Sequence, residues 1–417
     1  MNHRLLTLVL LLSSAAFARE VETDDNGAKL EVSGFYKSLL SGVLLNPDTV
    51  AAVNAVSPTK IPDGGFLAAQ LFRANAKIQF AHDVDLIVAW QLALSLATDP
   101  AFAGGATLSG TVGGTGSGAR RRLADLPTPL GQGNVWRLDQ NLDRFALKIG
   151  LPFGDLTIGR QVLSWGTGRV WNPTDVLSPF PPTVIDREVR RGFDAVRLAV
   201  PLGDTGQLDL LALPQQELSD TGGVARVQLN VLGWDGSLSA GKYVDDLVFG
   251  FDLVGDIGPI GVHAEGAYTL QLTNLKGGAP VGIGDHFFRG VIGAEWKPHE
   301  KIVLMAEYSF NGYGTTDPRK YVAILSSARV IRGEVFGAGQ HQAALAGVFT
   351  VSDVLSTNVS LLGNLTDPSV MIIPSLEYSV TQTVLMRAGA YVPIGASQSE
   401  YGRSSFGAFA QVGVYLP

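Results

Sequence analysis

The chain has 417 residues, 46% hydrophobic and 17% charged, a formal net charge of −7 and no cysteine. A soluble domain carries about 25% charged residues, so the charged share is low, and the acidic balance excludes a nucleic-acid partner bound through a basic surface. The missing cysteines exclude a disulfide scaffold and any thiolate metal site.

The N-terminus has the three parts of an export signal. Arg4 (with His3) is the positive end, residues 5–12 form the apolar stretch, and Ala16-Phe17-Ala18 is a small-x-small cleavage site. This predicts a signal peptide over 1–18 and a single domain over 19–417, beginning at Arg19 after cleavage. Beyond it no run of roughly 18 apolar residues occurs, so helical membrane spans are excluded.

Most of the remaining chain alternates between apolar and polar positions. Strand one is expected near 30–40. Over 67–80, Phe72, Ala74, Ala76, Ile78 and Phe80 share one face, and Arg73, Asn75, Lys77 and Gln79 share the other. Over 84–96 every second residue is apolar: Val84, Leu86, Val88, Trp90, Leu92, Leu94 and Leu96. Successive side chains of a strand point to opposite faces, so one face is fully apolar and the other mixed. The pattern returns with Ile260, Val262, Ala264, Tyr268, Leu270 and Leu272 against His263, Glu265, Thr269 and Gln271. It returns again with Ile302, Leu304, Ala306, Tyr308 and Phe310 against Lys301, Val303, Glu307 and Asn311. Near the end, Phe406, Ala408, Ala410, Val412, Val414 and Leu416 share one face. Lipid outside and water inside require this alternation of each strand. Glycine, at 50 of 417 residues against a usual share of roughly 7%, and other small or polar residues on the second face suit a wet lumen. The fold expected is all-β: a transmembrane antiparallel β-barrel of about 18 strands, with about 16 as the alternative because 234–246 could be a hairpin or one irregular loop.

The connections alternate between two kinds. Tight turns fall at His82-Asp83, Pro152-Phe153-Gly154-Asp155, Asp256-Ile257-Gly258-Pro259, Lys297-Pro298-His299-Glu300, Ser352-Asp353 and Thr381-Gln382. Among the others, 46–65, 99–133, 166–191, 274–285 and 312–339 are long and rich in Gly, Pro, Ser and Thr. Short periplasmic turns and longer extracellular loops mark a bacterial barrel.

The most distinctive loop is 166–191, with Trp171, the turn Asn172-Pro173-Thr174-Asp175, Pro179, Pro181, Pro182 and the run Asp186-Arg187-Glu188-Val189-Arg190-Arg191. Its prolines fix φ and lower the entropy of ordering. It is expected either to narrow the pore, with Arg187, Arg190 and Arg191 supplying a binding field, or to stand as an external loop whose charges pair internally. Inward charges are expected at Arg73, Lys77, Arg226, Glu265, Arg289, Glu295, Lys301, Glu307, Glu377 and Arg387, where they set selectivity or simply neutralise one another. Trp136, Trp165, Trp296, Tyr308, Tyr378 and Tyr391 read as a membrane girdle. The glycine-rich 113–118 lacks the strand and helix of a phosphate cradle and reads as linker. No histidine has metal-ligand spacing, so no cofactor and no metal are expected.

The segment Gly159-Arg160-Gln161-Val162-Leu163-Ser164-Trp165-Gly166, followed by Trp171-Asn172-Pro173-Thr174-Asp175, resembles porin-like barrels of Gram-negative bacteria, both the alginate-export type and porin relatives with a Gly-Arg-Gln…Gly strand. The resemblance implies an 18-strand monomeric barrel passing anionic or uncharged solutes, with Arg160 as a luminal side chain beside the loop. The long loops lack the basic density expected of a polyuronate exporter. Barrel chains commonly finish on an aromatic residue read by the assembly machinery; here Tyr415 stands in that role, two residues early.

The function expected is passive diffusion of small polar or anionic solutes across a Gram-negative outer membrane, without enzymatic chemistry. Its partners are membrane lipid, the solute, the assembly machinery and, where outward faces meet protein, further copies of the chain. A closed barrel serving surface-polysaccharide assembly or scaffolding a partner is the alternative. A barrel-embedded hydrolase, which would need a His–Ser pair, is the minor one.

Overall fold

The computed structural model describes residues 19–22, 29–56, 60–81, 83–103, 122–123, 128–184, 186–244, 246–272 and 286–416. The signal segment 1–18, the linker 113–118, His82 and the connection 274–285 lie outside the described residues.

The chain forms a closed antiparallel barrel of 18 strands. The first nine are β1 (Lys29–Leu44), β2 (Gly64–Ala81), β3 (Val84–Ala97), β4 (Trp136–Leu151), β5 (Gly154–Gln161), β6 (Phe193–Leu202), β7 (Gly206–Leu213), β8 (Gly222–Val231) and β9 (Trp234–Tyr243). The rest are β10 (Asp246–Ile257), β11 (Ile260–Gln271), β12 (His286–His299), β13 (Ile302–Asn311), β14 (His341–Ser352), β15 (Leu355–Asn364), β16 (Ser369–Ser379), β17 (Val384–Ile394) and β18 (Phe406–Leu416). Each pairs with its sequence neighbour, and β18 closes on β1 from Gly34↔Leu416 to Leu44↔Phe406. Closure leaves no free edge, the only way a sheet crosses lipid with its backbone satisfied. Two short strands lie beside the wall: Arg19–Glu22 pairs with the start of β1, below the end of β18, and Thr128–Gln132 pairs with β4. No helix among the described residues is long and apolar enough to cross a membrane.

The alternation sets the faces. Leu40, Phe66, Phe80, Leu238, Phe249, Ile292 and Leu345 are exposed on the outer wall, while Lys37, Leu39, Ser41, Arg73 and Gln91 are buried inside it. A contiguous apolar outer surface is what hydrocarbon accepts and water does not. Residues 234–243, where glycine and serine blur the pattern, are strand β9, registered along its length against β8 and β10. That settles the count.

Three expectations are corrected. Trp165 is not in a girdle but buried in the interior, and Tyr391 faces inward beside Phe409. Lys301 lies in the turn between β12 and β13, exposed, and not on the wall. Tyr415 also faces inward, packed 6.1 Å from the Phe35 ring. The long loops are also more ordered than their composition suggests. Residues Pro47–Val56 form a helix α1 in the first, and Tyr321–Leu325 and Ala328–Ile331 form α2 and α3 in 312–340. The last two bury Tyr321 and Ile324 with Phe287, Tyr313, Val335 and Ala338 at the barrel mouth. Apolar side chains in a loop order it when a wall is near enough to cover them.

A luminal strut as the candidate functional site

Residues 162–192, between β5 and β6, enter the barrel and bind its wall at separate places; we call this segment the strut. Its first part is apolar. Trp165, Val176 and Leu177 pack on Phe193, Ala195, Leu211, Leu213, Val224, Tyr243, Val248 and Ala267, the inward side chains of β6 to β11. That side of the interior is dry, against the expectation of water along every strand. Further along, Trp171 packs on Val291, Ala344, Leu362 and Met371.

Two wall glutamates grip the strut's backbone. Glu265 on β11 accepts from the N–H groups of Thr167 (2.8 Å), Gly168 (3.0 Å) and Thr174 (2.6 Å), and from Thr174 Oγ1 (2.7 Å). Glu307 on β13 accepts from the N–H groups of Arg169 (2.8 Å), Val170 (3.1 Å) and Trp171 (2.8 Å). His263 Nε2 lies 3.1 Å from Glu307. It reaches across Gly293, where a Cβ would run into its ring. Charge-assisted hydrogen bonds to a carboxylate are about twice as strong as neutral ones, so the wall sets the strut's shape here. Gly166 permits the close approach: its φ is +89°, and a Cβ there would stand 2.6 Å from Glu265 Oε2. Only glycine adopts that conformation without strain.

The far end is pinned to β1, β17 and β18. Lys37 Nζ lies 2.5 Å from Asp186 and 2.6 Å from Glu188. Tyr415 Oη donates to Glu188 at 2.7 Å, Arg387 pairs with Glu188 at 3.2 Å and with Glu377 at 2.6 Å, and Tyr391 Oη donates to Thr183 O at 2.6 Å. Burial alone would raise the Glu188 pKa; Lys37, Tyr415 and Arg387 outweigh it and hold the carboxyl below its usual range. A carboxylate with a depressed folded pKa stabilises the docked strut above the ordinary glutamate value and loses that contribution as pH falls through the lowered one. Amide protection over 183–191, corrected for intrinsic exchange, is therefore expected to stay level from neutral pH down to about 4.3, the ordinary glutamate pKa. It should fall only below that; a loss already complete above this value would contradict the assignment.

The charges singled out from sequence are mostly consumed. Arg73 pairs with Asp143 (2.8 Å), which also meets Arg122 (3.4 Å) and Arg144. Asp143 is the extra residue of a bulge in β4, which aims its carboxylate among these arginines. Arg160 is buried, in register with the outward Phe145, and bonds Asp194 (2.8 Å) and Leu142 O (3.0 Å). It completes the wall where β4 and β5 part, rather than standing open in the lumen. Arg190 pairs with Asp175 inside the strut, and the Arg191 carbonyl accepts from Ser178 Oγ at 3.0 Å. Arg226 bonds Ser237 (3.1 Å) and Asp252 (3.4 Å) beneath Trp165. Arg289 ties both inserted loops together through Pro173 O (3.1 Å) and Glu334 O. Lys77, half exposed near the opposite rim, lies 3.4 Å from Asp85.

Arg187 differs. Its guanidinium donates to the carbonyls of Arg169 (2.7 Å) and Pro182 (2.8 Å), and among the described residues it makes no ion pair. It lines a cavity of about 660 Å³ between the strut and the wall of β12 to β18. Across that space stand Ser356, Asn358, Ser360 and Ser375, with apolar Val303, Met305, Leu362 and Ile373; Arg169 and Glu295, 3.5 Å apart, share it. Sequence reasoning missed Lys37, Asp143, Asp246, Arg329 and Glu400, the last accepting from the N–H groups of Ala338 (2.6 Å) and Gly339 (3.0 Å) in the loop before β14. Only the inward parity of Lys37 on β1 was there to find.

No histidine is joined to a serine by a hydrogen bond among the described residues: His341 meets Tyr308 at 2.7 Å, and a His299 ring nitrogen accepts from Lys301 N–H at 3.2 Å.

A closed 18-strand barrel crossed by an inserted loop is the architecture of a porin. The chain is similar in fold to Pseudomonas aeruginosa OccD3 (OpdP), with a TM-score of 0.54 at 10% identity over 96% of this chain and 93% of that one. It is equally similar to a BenF-like porin from Pseudomonas fluorescens Pf-5, with a TM-score of 0.54 at 10% identity over 93% and 98%. Acinetobacter baumannii OccAB4 gives 0.53 at 11% identity over 94% and 99%. At such identity the likeness establishes the fold alone. No protein-family model matches the sequence, and no curated protein matches it.

Proposed function

We propose that this chain is an outer-membrane channel of a Gram-negative bacterium, exported on a signal peptide over 1–18 and passing small polar or anionic solutes by diffusion. One observation carries the reading: a cavity lies between the strut and the β12–β18 wall, and Arg187 faces it without a carboxylate partner among the described residues. The remaining charges of the candidate set hold loops and wall together, so the conduction path runs to one side of the barrel, and Arg187 is its selectivity residue. The lipid-facing belt and the porin fold of the similar structures support the same reading. Passage of a polyuronate is not proposed.

The test is single-channel recording of the refolded mature chain in a planar bilayer, with reversal potentials in a KCl gradient. Steady open steps with a preference for chloride are expected. A unit charge about 4 Å from a passing ion in water-like surroundings is worth about 1 kcal/mol, roughly fivefold in local ion concentration. Because potassium gains what chloride loses, Arg187→Gln is accordingly expected to lower the chloride-to-potassium permeability ratio by up to roughly 25-fold without closing the channel. A correctly folded barrel that stays silent would overturn the reading in favour of a closed, partner-dependent barrel.

A further inference from the structure

We propose that Lys37 is the positioning residue that decides the sign of the channel's selectivity, by neutralising the two carboxylates that flank Arg187 on the strut. The inference rests on the channel reading above and adds to it a residue that does not itself face the conducting cavity.

The run Asp186-Arg187-Glu188 alternates in sign. Left to itself it would present two carboxylates and one guanidinium to a passing ion, a net anionic tip. The fold gives the two carboxylates wall partners, although Glu188 lines the same cavity as Arg187. Lys37, only 1% exposed, holds Asp186 at 2.5 Å and Glu188 at 2.6 Å, with its ammonium 4.6 Å over the Phe35 ring. Gln411 reaches Asp186 at 3.4 Å, and Arg387 and Tyr415 reach Glu188. A buried ammonium without counter-charges is strongly disfavoured, so Lys37 and the two carboxylates require each other. Charges locked in close pairs present only a short-range field, whereas a single open charge acts over the full Debye length of about 8–10 Å. Arg187, which among the described residues bonds only to carbonyls, is that open charge at the strut's tip.

Lys37→Met removes the counter-charge while keeping the apolar stem that packs against Phe35. Asp186 and Glu188, the latter already lining the cavity, are then left without that counter-charge, and the chloride-to-potassium permeability ratio is expected to fall through unity. Lys37→Arg is expected to keep the wild-type ratio. The triple variant Lys37→Met with Asp186→Asn and Glu188→Gln, which has neither the cation nor the carboxylates, is expected to regain chloride preference. A purely structural role for Lys37 would leave the triple variant as disturbed as the single one.

Should Lys37→Met fail to give a heat-modifiable folded band, the triple variant and Lys37→Met with Asp186→Asn, which differ only in the Glu188 charge, test the same point: the retained carboxylate must lower the chloride-to-potassium ratio below that of the triple variant. An unchanged ratio in folded Lys37→Met overturns the inference alone. So does a triple variant that prefers potassium, or equal ratios in the pair that differs at Glu188. A silent wild-type chain overturns the channel reading, and this inference with it; a conducting wild-type chain that prefers potassium overturns this inference and the selectivity role of Arg187 but not the channel reading.

Discussion

Replacing Glu265 and Glu307 together by alanine is expected to unseat the strut and raise single-channel conductance several-fold. The two carboxylates accept from six backbone N–H groups between Thr167 and Thr174. Both are almost fully buried, at 1% and 3% exposure. A buried donor left without an acceptor costs about 1–3 kcal/mol, so the segment 166–174 is expected to leave the wall and take water instead. The barrel itself should persist, since its ladder hydrogen bonds do not involve these side chains. Single glutamine variants keep one carbonyl acceptor and should show smaller, noisier increases. Unchanged conductance in the double variant, with amide protection over 166–174 intact, would mean that the apolar packing of Trp165, Trp171, Val176 and Leu177 holds the strut without the glutamates.

The second large effect is expected at Asp246. This residue opens β10 and takes two hydrogen bonds from Arg329 of α3, one of them at 2.8 Å. Arg329 is 1% exposed and also meets Glu334 at 3.2 Å. Breaking a buried pair by deleting one partner costs about 3–5 kcal/mol where the other charge is left uncompensated; here Arg329 would keep Glu334, which it shares with Arg332, so the cost falls below that range. Asp246→Ala is therefore expected to release the loop 312–340 from the barrel mouth while the strands remain paired. Arg319 is an exposed tryptic site within that loop, with its side chain 85% accessible, and cleavage there should become markedly faster. An unchanged cleavage rate would show that the apolar cluster of Phe287, Tyr313, Tyr321 and Ile324 anchors the loop by itself.

Much of this was legible in the amino-acid order. The period-two pattern at 67–80, 84–96, 260–272 and 302–310 placed those side chains on the faces they occupy, because a barrel wall separates lipid from interior at every residue. The prolines of 166–191 marked a loop of defined shape. Glu265, Glu307, Arg289 and Arg387 were recognisable as inward charges by parity alone. What they do there was not. Parity says that Glu307 points inward, but the N–H groups it holds belong to a segment 136–138 residues away in sequence. Lys37 and Asp186 are 149 residues apart, and neither has a local pattern that names the other.

The sequence by itself determined the barrel, its faces and its alternating connections, since each arises from a repeat read within one strand or turn. Only the tertiary structure decided which charges remain open to a passing solute. Neutralisation of a buried charge needs a partner within about 4 Å, and in a closed barrel that partner is brought by a loop from another part of the chain. For this reason Arg73, Arg160, Arg226 and Arg289 became part of the scaffold, and Arg187 was left facing the cavity.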